Sequence, residues 1–379
     1  MAERLIFKLI LSIFKRFLIQ AKLNLMIKFL KYFLTFIVMS FLSSCLLFSE
    51  SGYYKGSISD HFDGERFFNP NSEDPLKKNF MSYYKAKAKY EAENGKSLWV
   101  KDLLEVKNYK PLEKVNNNKI STTFVGHSTF LLQFNNLNIL TDPIWSNRAS
   151  PVSFLGPKRA KKPGIKFEDL PKIDIVLISH SHYDHLDLPT IKKLRDFSNP
   201  QIFAGLGICH YLNKIKNLKV NCREMDWNEK IQFNENLSIN FLRAKHWSKR
   251  AFWGSNATLW GAFALEITNL GNIYFAGDTG YDSHFIEAGQ KFKNFKLALL
   301  PIGAYKPRDF MIRHHISPAQ AVLAHKELNA EKSIAMHFET FQLASDNFKD
   351  PSEDLKKNRL ESNLEKDFLI LEVGENKDF

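Results

Sequence analysis

Cysteine is scarce. Cys45, Cys209 and Cys222 are the only three in 379 residues, and no two of them stand in a C-x-x-C spacing. That argues against a thiolate zinc site. Cys209 and Cys222 can pair in an oxidising compartment, a choice the sequence leaves open. Internal repeats at solenoid periods are absent, as are low-complexity tracts. Excess charge is modest too, although the net charge is +12. Residues 1–31 carry seven basic side chains against Glu3 alone, or +6, so the other 348 residues carry only the remaining +6. So modest a bias does not argue for a nuclease, and no nucleic-acid partner is expected. Apolar content of 44% and charged content of 25% are ordinary for a globular chain, and the length suffices for one large domain or two smaller ones.

What is present begins with a targeting pattern. From Met26 the chain reads "MIKFLKYFLTFIVMSFLSSC": a short basic region, an uncharged apolar stretch from Tyr32, then small residues before a cysteine. This is the pattern of a secretory signal peptide. Leu42-Ser43-Ser44-Cys45 resembles a bacterial lipobox, in which the cysteine is lipidated and becomes the mature N-terminus. An uncleaved anchor over Tyr32–Ser49 stays open, because that stretch approaches the roughly 20 apolar residues that span a bilayer. A buried helix is a third reading. Residues 1–25 hold a second basic, apolar stretch and another candidate start, and are assigned no structural role. The expected division is a signal, lipobox or anchor segment over 1–45, an extended lead-in over 46–115 and a folded domain over 116–379. The lead-in is polar, aromatic and rich in lysine, with a helix expected around Ser82–Glu93.

From Ile120 the texture changes to short apolar runs that read as strands: "STTFVG", "FLLQF", "LNILTD", "IDIVLIS", "LSINFLRA", "LWGAFALEI", "NIYFAG", "KLALLP", "SIAMH" and "FLILEV". Helical segments fall between the later ones, at "LPTIKKLRDF", "SHFIEAGQKF" and "SPAQAVLAHKEL". In the last of these, Ser317 before Pro318 reads as an N-cap with proline at the first helical position. Strands followed by strands mixed with helices predict sheets covered by helices.

One stretch concentrates chemistry. "LISHSHYDHLD" places His180, His182, Asp184 and His185 just past an apolar strand. Alternation in extended chain puts His180 and His182 on one side. Asp184 and His185 follow where the chain starts to turn, and can face a second point nearby. Two metal ions suit that pattern better than one. His246, Asp278 and His337 each come at the exit of a later apolar run, and strand exits are where sheet proteins assemble sites from distant segments. Imidazole and carboxylate donors without thiolate suit zinc first, with iron or manganese open.

At these residues the chain resembles the metallo-β-lactamase superfamily: H-x-H-x-D-H, a lone histidine, an aspartate in "GDTG" and a last histidine. "TDPIWSNRASPVSFLGPKR", "HWSKR", "LWGAF", "FAGDTGYD", "PIGAYKPRDFM" and "MHFETF" are similar to N-acyl-phosphatidylethanolamine-hydrolysing phospholipase D and its bacterial relatives, over roughly residues 60–375. The resemblance implies an α/β (α+β) fold, a four-layer αββα sandwich over 116–379, with a binuclear zinc site along one edge. It implies that His180, His182 and His246 bind one zinc, that Asp184, His185 and His337 bind the other, and that Asp278 bridges them. Asp142, in "LTDP", would support the site from behind the ligands. Glu339 stands where these relatives commonly carry glycine, a change expected to reshape the pocket beside His337. His314 and His315 stand where the phospholipase has one histidine near the substrate phosphate, and alignment favours His315.

The function implied is cleavage of N-acyl-phosphatidylethanolamine to phosphatidic acid and an N-acylethanolamine. Asp184, Asp278 and His315 are then the catalytic candidates. His127 and His315 are candidates for substrate contact or proton transfer, each with a structural hydrogen-bonded role as the alternative, and Tyr183 is a candidate lining residue. A metal-dependent lactone or ester hydrolase is the rival activity, and a non-catalytic lipid-binding envelope lipoprotein the rival class. Partners expected are a phospholipid or other amphipathic substrate and a membrane, with a homodimer left open. The expected location is the bacterial cell envelope.

The Cys45 expectation has a direct test. Cells fed a fatty-acid analogue should label the wild-type chain, and Cys45→Ser should take up none and remain as uncleaved precursor. Unlabelled wild-type protein that still sediments with membranes would point to Tyr32–Ser49 as an uncleaved anchor.

Overall fold

The computed structural model describes residues 15–16, 19–20, 22–36, 39, 53–70, 80–116, 118–250 and 254–379. The chain divides into two units, Met1–Ser51 and Gly52–Phe379. In the first, residues 22–36 are helical. Among the described residues no helix is long and apolar enough to cross a membrane. Cys45 and most of the Tyr32–Ser49 stretch lie outside the described residues.

The second unit carries the strands β1 (Ser121–Gly126), β2 (Thr129–Phe134), β3 (Leu137–Thr141), β4 (Ile175–Ile178), β5 (Gln201–Gly205), β6 (Cys222–Met225), β7 (Lys230–Asn234), β8 (Leu237–Leu242), β9 (Lys249–Arg250), β10 (Gly254–Ser255), β11 (Ala262–Ile267), β12 (Gly271–Phe275), β13 (Phe295–Pro301), β14 (Ala330–Met336), β15 (Phe368–Leu369) and β16 (Asn376–Asp378). Two seven-stranded sheets result, ordered β16-β1-β2-β3-β4-β5-β6 and β15-β14-β13-β12-β11-β8-β7. In the first, β3 to β6 run parallel; in the second, β12 to β15 do.

Strand β4 shows why the layers form. It is buried throughout, and its side chains alternate between two cores. Ile175 and Leu177 join the main core with Phe241, Phe263 and Leu297 of the second sheet. Val176 and Ile178 face the other way, packing with Ile191 and Leu194 of helix Leu188–Phe197 and with Ile208 and Leu212 of helix Ile208–Lys214. Behind the second sheet, helices His284–Phe292 and Pro318–Glu327 send Phe285, Phe292, Ala321 and Val322 into the main core. The order is helix, sheet, sheet, helix, the expected αββα sandwich.

All ten expected apolar runs carry a strand, although "FLILEV" keeps only Phe368–Leu369. The three expected helices form, and the lead-in helix runs Phe80–Asn94. Strands β5, β6, β7 and β16 and helices Ile208–Lys214 and Asp350–Glu361 had drawn no expectation. The last has seven charged residues among its twelve and buries only Pro351, Ser352 and Leu355. The unit Gly52–Phe379 takes in the lead-in as well: Phe62 and Phe67 sit in the main core, and Phe67 N–H donates to the Asn256 carbonyl at 2.8 Å.

Cys209 and Cys222 form a disulfide that staples helix Ile208–Lys214 to β6, at the edge of the first sheet. At the start of Pro318–Glu327, Ser317 and Gln320 complete a reciprocal capping box. Ser317→Ala should therefore cost about 1 kcal/mol. In a domain of this size that lowers the melting temperature by roughly 2 °C. An unchanged calorimetric melting temperature would show that the cap carries no stability.

Candidate metal centre

The donors converge because five strands deliver them to one edge. Strands β3 and β4 are parallel, so Asp142 and His180–His185 leave the first sheet at the same end. Strands β8 and β12 are both antiparallel to β11 and so point the same way, and β12, β13 and β14 are parallel. His246, Asp278 and His337 thus emerge together from the second sheet.

One set is made of imidazoles. His182 Nδ1 lies 2.8 Å from His180 Nε2 and 3.3 Å from His246 Nε2. His246 Nδ1 faces the His314 carbonyl at 2.8 Å, which can only accept, so the proton is there and Nε2 is bare. Ser179 Oγ donates to Asp142 Oδ2 at 2.5 Å and so accepts from His180 Nδ1 at 2.9 Å, again leaving Nε2 bare. Burial, reinforced by the neighbouring rings, holds His180 and His246 well below the usual imidazole value. Burial takes His182 to about 4, although Asp184 and Asp278 oppose it. Three neutral rings with converging lone pairs could hold a metal ion.

The other set mixes carboxylate and imidazole. Asp184 Oδ2 lies 3.2 Å from His185 Nε2 and 3.3 Å from His337 Nε2. Asp278 Oδ2 stands between the sets, 3.1 Å from the Nε2 atoms of His185 and His337, 3.9 Å from His180 and 3.8 Å from His246. His127, at the tight turn joining β1 and β2, gives Nε2 to Asp184 Oδ2 at 2.9 Å. One ring nitrogen thus holds Asp184, while Nδ1 is buried without a hydrogen-bond partner among the described residues. His315 brings Nδ1 to 3.9 Å from Asp278 Oδ2, and that atom has no protein partner. Tyr183 lies outside both sets, under the Arg250 guanidinium 4.0 Å from its ring centre.

Charge decides what the site can hold. Asp142, Asp184 and Asp278 are all buried, and among the described residues no lysine or arginine pairs with any of them. His185 Nδ1 bonds Asp142 Oδ2 at 2.6 Å, so the Nε2 lone pair faces carboxylate oxygens of Asp184 and Asp278. Burial would lower His185, but Asp278, Asp184 and Asp142 outweigh it and hold the ring well above its ordinary value. His337 is raised to about 9 in the same way, against burial, by Asp278 and Asp184. The bare protein thus uses protons where a cation belongs. Among the described residues, Asp278 Oδ1 and His182 Nε2 are buried with no hydrogen-bond partner. Donor chemistry, unmet charge and orphaned atoms all fit divalent metal.

The backbone is tuned to this purpose. His127, Asp142 and His337 adopt φ of 58°, 33° and 61°, a left-handed region costing about 1–3 kcal/mol per non-glycine residue. Hydrogen bonds hold them there: His337 N–H donates to the His127 carbonyl, and His127 N–H to Thr340 Oγ1. Just before Asp278, only glycine fits at Gly277, where a Cβ would come within 2.5 Å of Ser179 Cβ.

Glu339 lies two residues past His337. Its buried carboxylate accepts from Lys161 Nζ at 2.6 Å, Lys349 Nζ at 2.9 Å and Ser352 Oγ at 2.8 Å. These partners outweigh burial and keep it ionised. Sequence reasoning missed Ser179, which couples Asp142 to His180, and the His314 carbonyl, which orients His246. It also missed Arg250, whose Nη1 donates to the Ser181 carbonyl inside the ligand loop at 3.1 Å. A serine hydroxyl and a backbone carbonyl leave no mark in a sequence pattern, whereas Arg250 stood in view within "HWSKR".

Comparison with known proteins agrees with this geometry. The β-lactamase superfamily domain matches residues 137–338. The chain belongs to that superfamily. Among its relatives is an N-acyl-phosphatidylethanolamine-hydrolyzing phospholipase D 1 of Caenorhabditis elegans, 37% identical over 268 residues that cover 67% of this chain and 74% of the worm protein. A mitochondrial N-acyl-phosphatidylethanolamine-hydrolyzing phospholipase D of Saccharomyces cerevisiae is 35% identical over 62% of this chain and 51% of its own length. Among solved structures, an isothiocyanate hydrolase from Delia radicum gut bacteria aligns with a TM-score of 0.55 at 22% identity, covering 68% of this chain and 99% of the other. Igni18, a metallo hydrolase from Ignicoccus hospitalis, gives 0.52 at 22%, covering 69% and 98%. At that identity the two structures speak for the superfamily's fold. The sequence relatives make this member a metal-dependent hydrolase.

Reconstituted protein should carry about two equivalents of divalent metal per chain by elemental analysis. Asp142→Asn should weaken metal affinity about 10–100-fold, since an amide cannot serve as the anionic acceptor for both His185 and Ser179. A single equivalent would contradict the paired site, and unchanged affinity in a chelator titration would contradict the part given to Asp142.

Proposed function

We propose that this chain is a phospholipase D-type phosphodiesterase that cleaves N-acyl-phosphatidylethanolamine to phosphatidic acid and N-acylethanolamine with two divalent ions, zinc first among them. The observation that carries the reading is the position of Asp278 Oδ2, within 3.1–3.9 Å of ring nitrogens from both ligand sets. A carboxylate so placed serves a pair of metals. The substrate follows the named activity of the worm and yeast relatives.

His180, His182 and His246 would hold one ion, and Asp184, His185 and His337 the other, with Asp278 between them. Two divalent ions supply a nucleophile at neutral pH and stabilise the charge that builds on phosphodiester oxygens. The chain supplies position. Asp142 and Ser179 fix the tautomers of His185 and His180, and His127 holds Asp184 against rotation. His315, with a buried Nδ1 that no protein atom uses, is placed on the Asp278 side to hold a phosphate or leaving-group oxygen.

We also propose that the chain works in the bacterial cell envelope as a lipoprotein tethered at Cys45. The Cys209–Cys222 disulfide supports this location, because such bonds persist in oxidising compartments.

The test is hydrolysis of N-acyl-phosphatidylethanolamine in mixed micelles made with oxygen-18 water. Phosphatidic acid should appear, carry the heavy oxygen and vanish when a chelator is added. Heavy oxygen in a freed fatty acid would mean attack at an ester carbonyl, and the phosphodiesterase reading would fall.

A further inference from the structure

Single exposed apolar side chains are ordinary. In the unit Gly52–Phe379, among the described residues, Ile58, Leu98, Leu112 and Phe197 are of that scattered kind. One place differs. Val152, Phe154 and Leu155 stand within four positions, 37%, 79% and 66% exposed. A side chain as large as Phe154 held out into water, beside a second one, marks a surface meant to be covered.

The segment bearing them is a closed hairpin. Ala149 N–H donates to the Pro157 carbonyl at 3.1 Å, Arg159 N–H donates to the Asn147 carbonyl at 2.9 Å, and Arg148 faces Lys158 across an antiparallel bridge. Arg148 Nη1 closes the tip by donating to the Gly156 carbonyl at 2.6 Å. Its base is fastened to the metal centre. Ala160 N–H donates to the Thr340 carbonyl, and Arg159 bridges to Phe341 with its guanidinium 4.8 Å from that ring's centre.

Charge points to the occupant. Residues 143–167 contain no aspartate or glutamate. Arg159 and Lys161 are buried, and Lys162 pairs with Glu105. Lys158 is exposed, and among the described residues neither it nor Arg148 has an acidic partner. An apolar tip above a collar of unpaired cations matches a bilayer interface, where acyl chains take the apolar groups and anionic headgroups take the charge.

We propose that residues 150–156 form a membrane-docking tip that lays Val152, Phe154 and Leu155 into the surface of a bilayer containing anionic lipid. The proposal rests on the lipid-substrate reading, which gives the tip its purpose: it holds the mouth of the metal centre against the substrate's own surface.

The experiment places a reporter at the tip of the full chain. Leu155→Trp is compared with the wild-type chain in vesicles of phosphatidylethanolamine and phosphatidylglycerol, with and without bromine on the acyl chains. The emission added by the new tryptophan should shift to shorter wavelength with vesicles and be lost in brominated ones. Added salt should weaken both effects. Emission that keeps its solvent-exposed wavelength and escapes quenching would overturn the proposal, even if the chain sediments with the vesicles through its N-terminal segment. A shift that grows with protein concentration without vesicles would overturn it in favour of a second copy of the chain. Hydrolysis of N-acyl-phosphatidylethanolamine added to the same vesicles separates the two readings. A quenched tip without phosphatidic acid keeps the docking surface and removes the substrate; phosphatidic acid without quenching does the reverse.

Discussion

Three carboxylates share one buried space with no lysine or arginine among the described residues to balance them, and much of the structure can be read as a response. Asp184 and Asp278 face the ring nitrogens of His185 and His337 at 3.1–3.3 Å. At such separations in a low-dielectric interior, charge left uncompensated is among the costliest things a protein can bury. Asp142 answers from behind, anchoring the far side of His185 and the hydroxyl of Ser179, so that the rings cannot turn away. The apolar cores on either side of β4 hold Asp142 and His180 at the same sheet edge, and the antiparallel detour through β11 brings His246 beside Asp278. The sandwich is thus a frame that keeps like charges together until cations arrive.

The frame also absorbs local strain. Three side chains of the site sit on left-handed backbone that ordinary residues avoid. His127 and His337 are held by bonds reaching across the two halves of the sandwich, His337 donating its N–H to the carbonyl of His127, whereas Asp142 is held within the first half by the Leu177 carbonyl, Ser179 and His185. Glu339, at φ of 50°, adds a further left-handed residue to the loop that follows β14. Its ion pairs with Lys161 and Lys349 tie that loop to the segment after the exposed hairpin and to the start of helix Asp350–Glu361. Removing one member of so buried a network leaves the others unpaired, which typically costs more than the pairing contributes.

The candidate ligands stand out in the sequence because their constraint is local. "LISHSHYDHLD" sets four donors after one apolar run, and the other three each end a run of their own. Strands β1 to β4 and β11 to β14 were legible for the same reason, since each is a short apolar stretch. Strands β6 and β7 were not: "CREM" and "KIQFN" are half polar and only partly buried, at or next to sheet edges. Helix Asp350–Glu361 escaped notice because tertiary contacts hold it, not an apolar stripe. The supporting bonds from Ser179 and the His314 carbonyl join positions that only the finished fold brings together, so no spacing rule could announce them. For His127 the sequence leaves substrate contact, proton transfer and a structural hydrogen bond side by side, because nothing in "VGHSTF" reveals that Asp184 lies across from it.

The superfamily match begins at residue 137, yet the support of the candidate site begins earlier. His127 reaches Asp184 from the turn before β2, and Asn69, far upstream in the lead-in, donates its side-chain amide to the carbonyl of His246 at 2.8 Å. A ligand's backbone is thus steadied by a segment that domain-based trimming would discard. Gene truncation, protease nicking or tag insertion near residue 69 would therefore act on the metal centre itself, through a stretch of chain that contributes no ligand.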